Sequence, residues 1–413
     1  MAIRPDPDDL DPGDPGFIAD PFPALARLRE GAGVRRSAGL GGWVASRHAD
    51  CKALLKDPRF SADRMTPFFE HMGPDKRAGL ATLESTVRRW AVFVDPPDHT
   101  RLRGLMNRAF NPRAIEALAP RVARRVDDLI AGFRDRRRVD FIREFAYPLP
   151  ATVIADLLGV PIADVELLKR WSDELGAFVL TARATPDKYA RAEAAAKEMR
   201  DYFGALIEAR RGAPGEDAAS WLIAASDREG RLSSEELVAT CVLLLFAGHE
   251  TTTHLLGNGL YALMRHPAEM ARLRARKDEP AFVATAVEEM LRWDGPSLAQ
   301  VRIAAEDVDW NGARIAKGER VFLMLAAAGR DPAVFADPDR FDPGRDPNPH
   351  LAFGYGLHFC VGAPLARLEA RVAFPKLLAA FADIAPVPGA VPAWSDNLVV
   401  RGLHELEVAL APV

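Results

Sequence analysis

Cys360 is the residue whose type and setting most directly indicate chemistry in this chain. It lies in the glycine-rich segment 353–362, which reads FGYGLHFCVG, directly before a helical pattern over 364–374. Glycine permits the positive φ angles of a tight loop, and both loop N–H groups and the positive end of a following helix lower the pKa of a thiol. An anionic sulfur held in this way suits a single metal centre. The alternative is a free cysteine that serves as a small buried hydrophobe.

A second group of polar side chains interrupts the most apolar helical pattern. A capping box, Ser233 with Glu236, begins this helix, which reaches Ala-Gly-His-Glu-Thr-Thr over 247–252 before the apolar pattern resumes. A carboxylate and hydroxyls are unfavourable inside a buried helix, and the hydroxyls can bend it by bonding to carbonyl groups one turn back. Polar side chains in such an unfavourable position are typical of a functional site. The alternative is a solvated kink in the helix that has no function.

An acidic and a basic residue share one face of a later helix. The pattern over 282–293 predicts a helix that carries Glu289 and Arg292 three residues apart. Exposed pairs of this kind contribute little to stability, so the pair alone is a weak signal. A coil rich in Asp and Pro then covers 331–349, and a coil of that length is uncommon without a function.

Helical patterns dominate the chain, and the predicted fold class is mainly α with small antiparallel β-sheets (α+β). Strand-like segments separated by Asn-Gly and Lys-Gly turns predict one such sheet, and two further segments predict a C-terminal hairpin. In chain order these segments are 301–304, 308–310, 320–324, 398–402 and 404–410.

Composition limits the class of protein and its organisation. The chain has 413 residues, 48% hydrophobic and 27% charged, and its net charge of −4 gives no reason to expect nucleic-acid binding. No Gly/Ser linker, repeat or low-complexity tract divides it. We therefore predict an extended N-terminal arm over 1–16 and a single domain over 17–413.

The sequence gives no sign of export or membrane insertion. Residues 1–6 lack the apolar core of a signal peptide, and the most apolar run, 238–248, is far shorter than the ~20 residues that span a bilayer. The three cysteines, Cys51, Cys241 and Cys360, are widely scattered, which fits a reducing compartment. We expect a cytoplasmic protein without a membrane anchor, and we take it to be a monomer.

These separated segments together resemble a bacterial cytochrome P-450, over nearly the whole chain. The cysteine segment is similar to the haem-binding signature Phe-x-x-Gly-x-His/Arg-x-Cys-x-Gly, which is the most specific of the signals. Residues 247–251 resemble the oxygen-activating stretch Ala/Gly-Gly-x-Asp/Glu-Thr, and 99–103 resembles a haem-contacting helix. Glu289 and Arg292 resemble the family's Glu-x-x-Arg pair, with Arg340 as its usual third partner. The resemblance implies a P-450 fold with haem between the long central helix and the Cys-bearing loop.

The resemblance implies haem b (iron protoporphyrin IX) as cofactor and O₂ as co-substrate. Cys360 is then the axial thiolate, which favours O–O cleavage. A zinc site fails because His358 and Cys360 supply only two ligands. The candidate cofactor contacts are His99, Arg103, Arg302, Phe353, His358 and Gly362. The cationic and histidine residues among them are candidates for the propionates, and for Arg302 a solvated strand residue is the alternative.

Glu250 and Thr251 resemble the family's acid–alcohol pair, which delivers protons while bulk water is kept out. His249 between them and the glycine is interpreted as structural, and Glu289, Arg292 and Arg340 as a network that holds the long coil. By resemblance, mostly apolar residues line a pocket for a small hydrophobic organic substrate, although each could instead belong to the core. They are Phe68, Phe69, Trp90, Phe93, Leu243, Ala247, Leu298, Gln300 and Val399.

The resemblance implies a monooxygenase whose electrons come from a separate ferredoxin and its reductase. No Gly-rich flavin or nicotinamide motif is found, so we expect no flavin in this chain. An acidic ferredoxin would meet a basic patch, with Arg101 and Arg367 as candidates, unless these residues are only a solvated face. One alternative is a peroxide-driven peroxygenase, whose members replace the acid–alcohol pair. Another is a non-catalytic haem-binding partner or sensor, which needs no proton relay.

Overall fold

The structure is a computed structural model that describes residues 9–31, 33–180, 185–229 and 232–413. Helices dominate it, which confirms the predicted fold class. The α-helices of the described residues are α1 (Pro15–Ala19), α2 (Phe22–Glu30), α3 (His48–Leu54), α4 (Met65–Glu70), α5 (Pro74–Ala78), α6 (Ala81–Val87), α7 (Asp98–Ala109), α8 (Pro112–Glu116), α9 (Ala119–Phe133), α10 (Pro148–Leu158), α11 (Val165–Val179), α12 (Lys188–Gly212), α13 (Ala218–Glu229), α14 (Ser234–Arg265), α15 (Pro267–Ala275), α16 (Pro280–Asp294), α17 (Leu325–Ala328) and α18 (Ala363–Ala380).

The strands are short and form small sheets. They are β1 (Val34–Ser37), β2 (Gly42–Ala45), β3 (Phe60–Ser61), β4 (Arg138–Asp140), β5 (Gln300–Ala304), β6 (Val308–Trp310), β7 (Ala313–Ile315), β8 (Arg320–Leu323), β9 (Phe381–Pro386), β10 (Ala393–Trp394), β11 (Leu403–Glu405) and β12 (Glu407–Pro412). The largest sheet has the order β1-β2-β8-β5-β3. Its β5–β8 pair is antiparallel, as predicted, whereas β2 and β8 run parallel. Asn311 and Gly312, both at positive φ, turn the β6–β7 hairpin.

The predicted C-terminal hairpin is wrong. Strand β11 pairs with β10, and β12 lies between β4 and β9 in a separate three-stranded sheet. The inward residues of β12, Val408 and Leu410, are buried. Their alternation predicts a strand correctly, but it does not identify distant partner strands, because period-two patterning carries no information about pairing.

Two compact units can be recognised in the chain. The first comprises the described parts of Met1–Phe60, Leu118–Leu149 and Thr251–Val413, and the second comprises those of Ser61–Ala117 and Pro150–Glu250. The prediction of a single domain over 17–413 stays a prediction. In the described part of the chain, no helix combines the length and apolarity needed to cross a membrane.

The N-terminal segment is attached to the first unit from Asp9 onward. The Asp9 carboxylate accepts hydrogen bonds from the N–H of Gly39 (2.8 Å) and from the Ser37 hydroxyl. Leu10 is buried in an apolar core cluster, and a side chain on Gly39 would collide with its carbonyl oxygen. Of the arm predicted over 1–16, residues 1–8 lie outside the described residues, and α1 begins at Pro15.

Helix α14 begins at the predicted capping box. The Ser233 N–H donates to the Glu236 carboxylate (2.8 Å), and the Glu236 N–H donates to Ser233 Oγ (3.1 Å), so two free donors of the first turn are satisfied reciprocally. The helix continues without a break through 247–252. Gly248 is required there because a Cβ would lie 2.6 Å from Ile154 Cγ1 of α10. The polar residues therefore interrupt only the apolar pattern of α14, and the helix itself is unbroken.

Candidate functional site

The cysteine loop of the first unit is a tight turn that presents the thiol of Cys360. Gly354 and Gly356 have φ of 73° and 76°, which residues with a side chain rarely adopt. A Cβ on Gly356 would also lie 3.3 Å from the carbonyl oxygen of Leu55. The Cys360 N–H donates to the Phe353 carbonyl (2.9 Å), which closes the loop, and the side chain of Cys360 is exposed.

The chemistry of the three thiols agrees with a single metal ligand. Cys51 and Cys241 are buried, and burial raises the pKa of both, that of Cys241 to about 12. They therefore remain neutral thiols at physiological pH. Cys360 is the exposed one, and it lies two residues before Gly362, the N-cap of α18, whose dipole favours an anion. This donor set fits a haem iron that would be held by one thiolate.

Helix α14 carries the predicted acid–alcohol pair, Glu250 and Thr251. Glu250 ends the last segment of the second unit, and Thr251 begins the last segment of the first unit. Burial raises the pKa of Glu250 to about 7, with a further increase from the charge on Asp173 and an opposing effect of Lys169. Glu250 therefore carries a proton for part of the time near neutral pH, as a proton-transferring group must.

The neighbours of Glu250 in the second unit come from α11. Lys169 and Asp173 form an ion pair (2.5 Å) on the face that also carries Gly176. A Cβ on Gly176 would lie 3.8 Å from Oε2 of Glu250, so α11 is close to the carboxylate. His249 is buried, and its Nδ1 lies 2.9 Å from the Leu245 carbonyl, which agrees with the structural role predicted for it.

Glu289 and Arg292 of α16 form a fully buried ion pair in the first unit. Arg292 donates to both carboxylate oxygens from Nε and Nη2, at 2.7 Å each. The remaining guanidinium contacts are to backbone carbonyls, those of Gly329, Pro338 and Arg340. Because these carbonyls belong to the segment 329–340, the pair fixes the long coil to α16.

The third partner of this pair is Arg345, and the prediction of Arg340 is wrong. Arg345 donates from Nε to both Glu289 oxygens (3.1 and 3.2 Å), and only 11% of its side chain is exposed. The Arg340 side chain is 60% exposed, and its nearest carboxylate is that of Asp342 at 3.9 Å. Only the backbone carbonyl of Arg340 joins the network. The Pro- and Asp-rich coil has no periodicity from which the orientation of either arginine could be read.

The predicted propionate contacts lie on regular elements in both units. In the second unit, His99 and Arg103 occur one turn apart on α7, and His99 is buried. In the first unit, Arg302 is buried on β5, and His358 lies in a 3₁₀ turn ahead of Cys360. Arg103 donates to Asn107 Oδ1 (2.8 Å), and Arg302 donates to the Val301 carbonyl (3.1 Å).

The predicted pocket residues of the second unit are of two kinds. Phe68 and Ala247 are exposed, and Ala247 follows a buried stretch of α14 that includes Leu243. Phe69 and Trp90 have no exposed surface, which agrees with the alternative that they belong to the core. Phe93 stacks on Trp90 with ring centroids 5.9 Å apart and is itself buried.

In the first unit the structure brings two predicted pocket residues together. The Leu298 N–H donates to the Val399 carbonyl (3.0 Å), so the turn after α16 and the C-terminal loop are adjacent. Gln300 has another neighbour, because a Cβ on Gly354 would lie 3.1 Å from its Nε2. Gln300 therefore contacts the cysteine loop.

Comparison with known proteins decides the family. A family model described as "Cytochrome P450" matches residues 46–397, which is most of the chain. The chain belongs to the cytochrome P450 family. It is similar to the cytochrome P450 monooxygenase PikC of Streptomyces venezuelae, with 43% identity over 95% of this chain and 91% of that protein. It is also 40% identical to the vitamin D(3) 25-hydroxylase of Pseudonocardia autotrophica, over 96% and 95% of the two chains.

Comparison of the fold with solved structures indicates the same family. The crystal structure of CalO2 is similar to this chain with a TM-score of 0.90 and 35% identity, over 98% of this chain and 99% of CalO2. Like its relatives, the chain is a cytochrome P450 monooxygenase, which confirms the prediction of an enzyme.

Two arginines expected in a basic patch of this P450 are paired with carboxylates. Arg101 of α7 binds Asp98 (2.9 Å) and Glu236 (2.5 Å). Arg367 of α18 binds Glu288 through two hydrogen bonds of 2.7 Å. Their charges are offset, so neither is a free cation for an acidic partner. The role of Glu288 could not be predicted from the sequence, because its partner Arg367 is 79 residues away. The only signal in the sequence was the position of Glu288 beside Glu289.

Glu288 gives this P450 a pH-dependent element of stability. Burial raises the pKa of Glu288, but hydrogen bonds from Arg367 and His350 outweigh it and lower the pKa to about 2 from an ordinary 4.5. A depressed carboxyl pKa stabilises the fold above pH 4.5, and this stabilisation is lost as the pH falls toward 2. We expect Glu288→Gln to be about 3 kcal/mol less stable at pH 7, with roughly half that difference at pH 3.

The measurement for Glu288→Gln is urea unfolding of both proteins across this pH range. Glu279→Gln is the matched control, since Glu279 also pairs with an arginine, Arg276 (2.6 Å), but is 52% exposed. Its effect on stability should be small at every pH, because water and salt screen an exposed pair. A stability difference for Glu288→Gln that does not change with pH would contradict the assignment.

Proposed function

We propose that this P450 binds haem b through Cys360 and inserts one atom of O₂ into a hydrophobic organic substrate. Electrons come from a separate ferredoxin and its reductase. The observation that carries the proposal is the exposed thiol of Cys360 in a turn built by two positive-φ glycines, while the other two thiols are buried. The haem, when bound, supplies the iron at which O₂ is activated, and the thiolate favours O–O cleavage.

The surrounding side chains bind and orient that cofactor. Phe353, whose carbonyl holds the Cys360 amide, supplies an aromatic ring beside the loop. Gly362 leaves the space beside the sulfur open, since a Cβ there would be in van der Waals contact with Sγ at 3.8 Å. The propionate partners in the proposal are His99, Arg103, Arg302 and His358, which supply charge-assisted hydrogen bonds.

Glu250 and Thr251 transfer protons in this proposal. The pKa of Glu250 near 7 lets its carboxyl group take up a proton from the solvent side, where Lys169 and Asp173 lie, and release it again. The Thr251 hydroxyl holds a water molecule in place for delivery. A peroxygenase has no need of such a pair, which favours the O₂-dependent reaction.

Thr251→Ala is expected to uncouple the reaction. Without the hydroxyl, proton delivery is misdirected, so the product formed per reductant consumed should fall about tenfold and hydrogen peroxide should rise. Product, reductant and peroxide are measured in the same assay. Thr240→Ala is the control, because it removes the same kind of hydroxyl from the same helix, one that donates to the Glu236 carbonyl (2.7 Å). If the product formed per reductant consumed were unchanged in Thr251→Ala, the proton-delivery role of Thr251 would be refuted.

The ferredoxin is proposed to bind the face around the cysteine loop. Leu357 and Phe359 are 59% and 39% exposed, and Lys52 of α3 lies over the Tyr355 ring at 4.8 Å. An apolar centre bordered by lysines, which include the exposed Lys56, fits a small acidic electron-transfer protein. Charge reversal at Lys52 should therefore slow reduction and weaken its dependence on salt.

The substrate is proposed to be an apolar organic molecule, consistent with the relative that is named for the 25-hydroxylation of vitamin D(3). The deciding experiment adds O₂, reductant, ferredoxin and reductase to the haem-loaded protein, together with compounds chosen by the shift they cause in the haem spectrum. Product that requires all components supports the proposal. Turnover with hydrogen peroxide alone would identify a peroxygenase, and spectral binding without any turnover would identify a haem-binding partner or sensor.

A further inference from the structure

Adjacent glutamates of α16 hold different parts of the first unit. Glu289 binds Arg292 and Arg345, as described above. The carboxylate of Glu288 binds Arg367 of α18 through both of its oxygens and also lies 2.9 Å from Nε2 of His350. This cluster of Glu288, Arg367 and His350 forms no part of the segments that carry the family resemblance.

The hydrogen bonds define the protonation of the cluster. The Ala352 N–H donates to Nδ1 of His350 (3.2 Å), so Nδ1 is an acceptor and carries no proton. The ring proton is then on Nε2, which donates to Glu288. The salt bridge of the cluster is formed by the carboxylate of Glu288 and the guanidinium of Arg367.

Two members of the cluster pack against the ring of Phe353, the first residue of the cysteine loop. The guanidinium carbon of Arg367 lies 4.6 Å from the centre of the Phe353 ring, a cation–π contact, and the His350 ring centre lies 6.2 Å from it. The carbonyl of the same residue accepts the Cys360 N–H at 2.9 Å. A continuous series of contacts thus connects Glu288 to the backbone of Cys360.

We propose that Glu288 is a positioning residue that fixes the thiolate loop through Arg367, His350 and Phe353, and that its charge and that of Arg367 set the reduction potential of the metal centre in opposite directions. This inference rests on the haem-thiolate function proposed above. A positive charge near the sulfur favours the reduced state, which carries one more electron, and a negative charge opposes it. The half-buried position of both residues limits screening by water.

The test is a spectroelectrochemical titration of the haem-loaded full chain in Glu288→Gln, Arg367→Gln and the double variant. Glu288→Gln should raise the potential and Arg367→Gln should lower it, each changing the ferrous-to-ferric ratio at a fixed potential by about two- to fivefold. The double variant should return toward the wild-type value. Glu279→Gln, on the exposed pair before α16, should leave the potential unchanged. If the substitutions only loosened the loop, they would not shift the reduction potential in opposite directions. Shifts of both single variants in the same direction would therefore overturn the electrostatic part of the proposal.

A second measurement tests positioning without haem chemistry. Amide hydrogen exchange of the segment 353–360 is followed in the full chain before and after haem loading. Glu288→Gln should increase exchange there at least about fivefold, while Glu279→Gln should not. Equal exchange in wild type and Glu288→Gln would overturn the positioning role. If the wild-type chain failed to form a thiolate-ligated haem spectrum, the proposed function would fail, and the exchange experiment on the unloaded chain would still test the cluster.

Discussion

Cys360→Ser is expected to abolish monooxygenation, with a loss on the order of 10³-fold or more, equivalent to about 4 kcal/mol of barrier. A serine hydroxyl has almost the size of the thiol but stays neutral at physiological pH, so it cannot supply the anionic ligand that favours O–O cleavage. Because the two side chains are so similar in size, the substitution leaves no cavity. The fold should therefore survive while the thiolate-ligated spectrum of the carbon monoxide complex disappears.

The chain offers a matched control for Cys360→Ser. Cys241 lies on α14 and is buried, and its raised pKa keeps it a neutral thiol. Cys241→Ala should cost about 1 kcal/mol of stability through the lost packing and keep the thiolate spectrum. Retention of that spectrum in Cys360→Ser, or its loss in the folded Cys241→Ala protein, would refute Cys360 as the ligand.

Glu289→Ala is expected to prevent haem incorporation. The Glu289 carboxylate binds Arg292, Arg345, the Asp342 N–H (2.8 Å) and the Asn348 amide (3.1 Å), and it has no exposed surface. Its removal leaves two buried guanidinium groups without their anion, which costs about 3–5 kcal/mol. Typical domains have only about 5–15 kcal/mol of total stability. Haem content and thermal unfolding measure the effect, and full haem content in Glu289→Ala would contradict it.

A pair of arginine variants keeps this test informative if Glu289→Ala does not fold. Arg345→Ala removes a buried partner of Glu289 and should cost about 2–3 kcal/mol and part of the haem content. Arg340→Ala removes an exposed side chain of the same type from the same coil and should stay within about 0.5 kcal/mol of wild type. Equal effects of the two variants would show that the network is not the one described.

The parts of the site that depend on neighbours in sequence could be predicted. The capping box at Ser233, the positive-φ glycines around Tyr355 and the Glu289–Arg292 pair are each determined within a few residues. Local backbone geometry and helix periodicity are sufficient to specify such features. The family resemblance then followed from the order and spacing of these segments.

The remaining parts depend on tertiary packing. Arg340 and Arg345 have the same chemistry in the same aperiodic coil, and only the path of the backbone decides which guanidinium reaches Glu289. The aromatic character of Phe69 and Trp90 indicates burial but does not separate a core position from a pocket wall.

The buried cluster of Glu289, Arg292 and Arg345 also constrains the mutational routes open to this protein. An apolar cluster of similar volume is often as stable as buried ions or more so. Each single step toward it, however, leaves an uncompensated charge and passes through a poorly folded protein. Single substitutions made one after another therefore cannot convert the charged cluster into an apolar one without loss of stability on the way. Laboratory evolution would need simultaneous changes at all three positions to replace it.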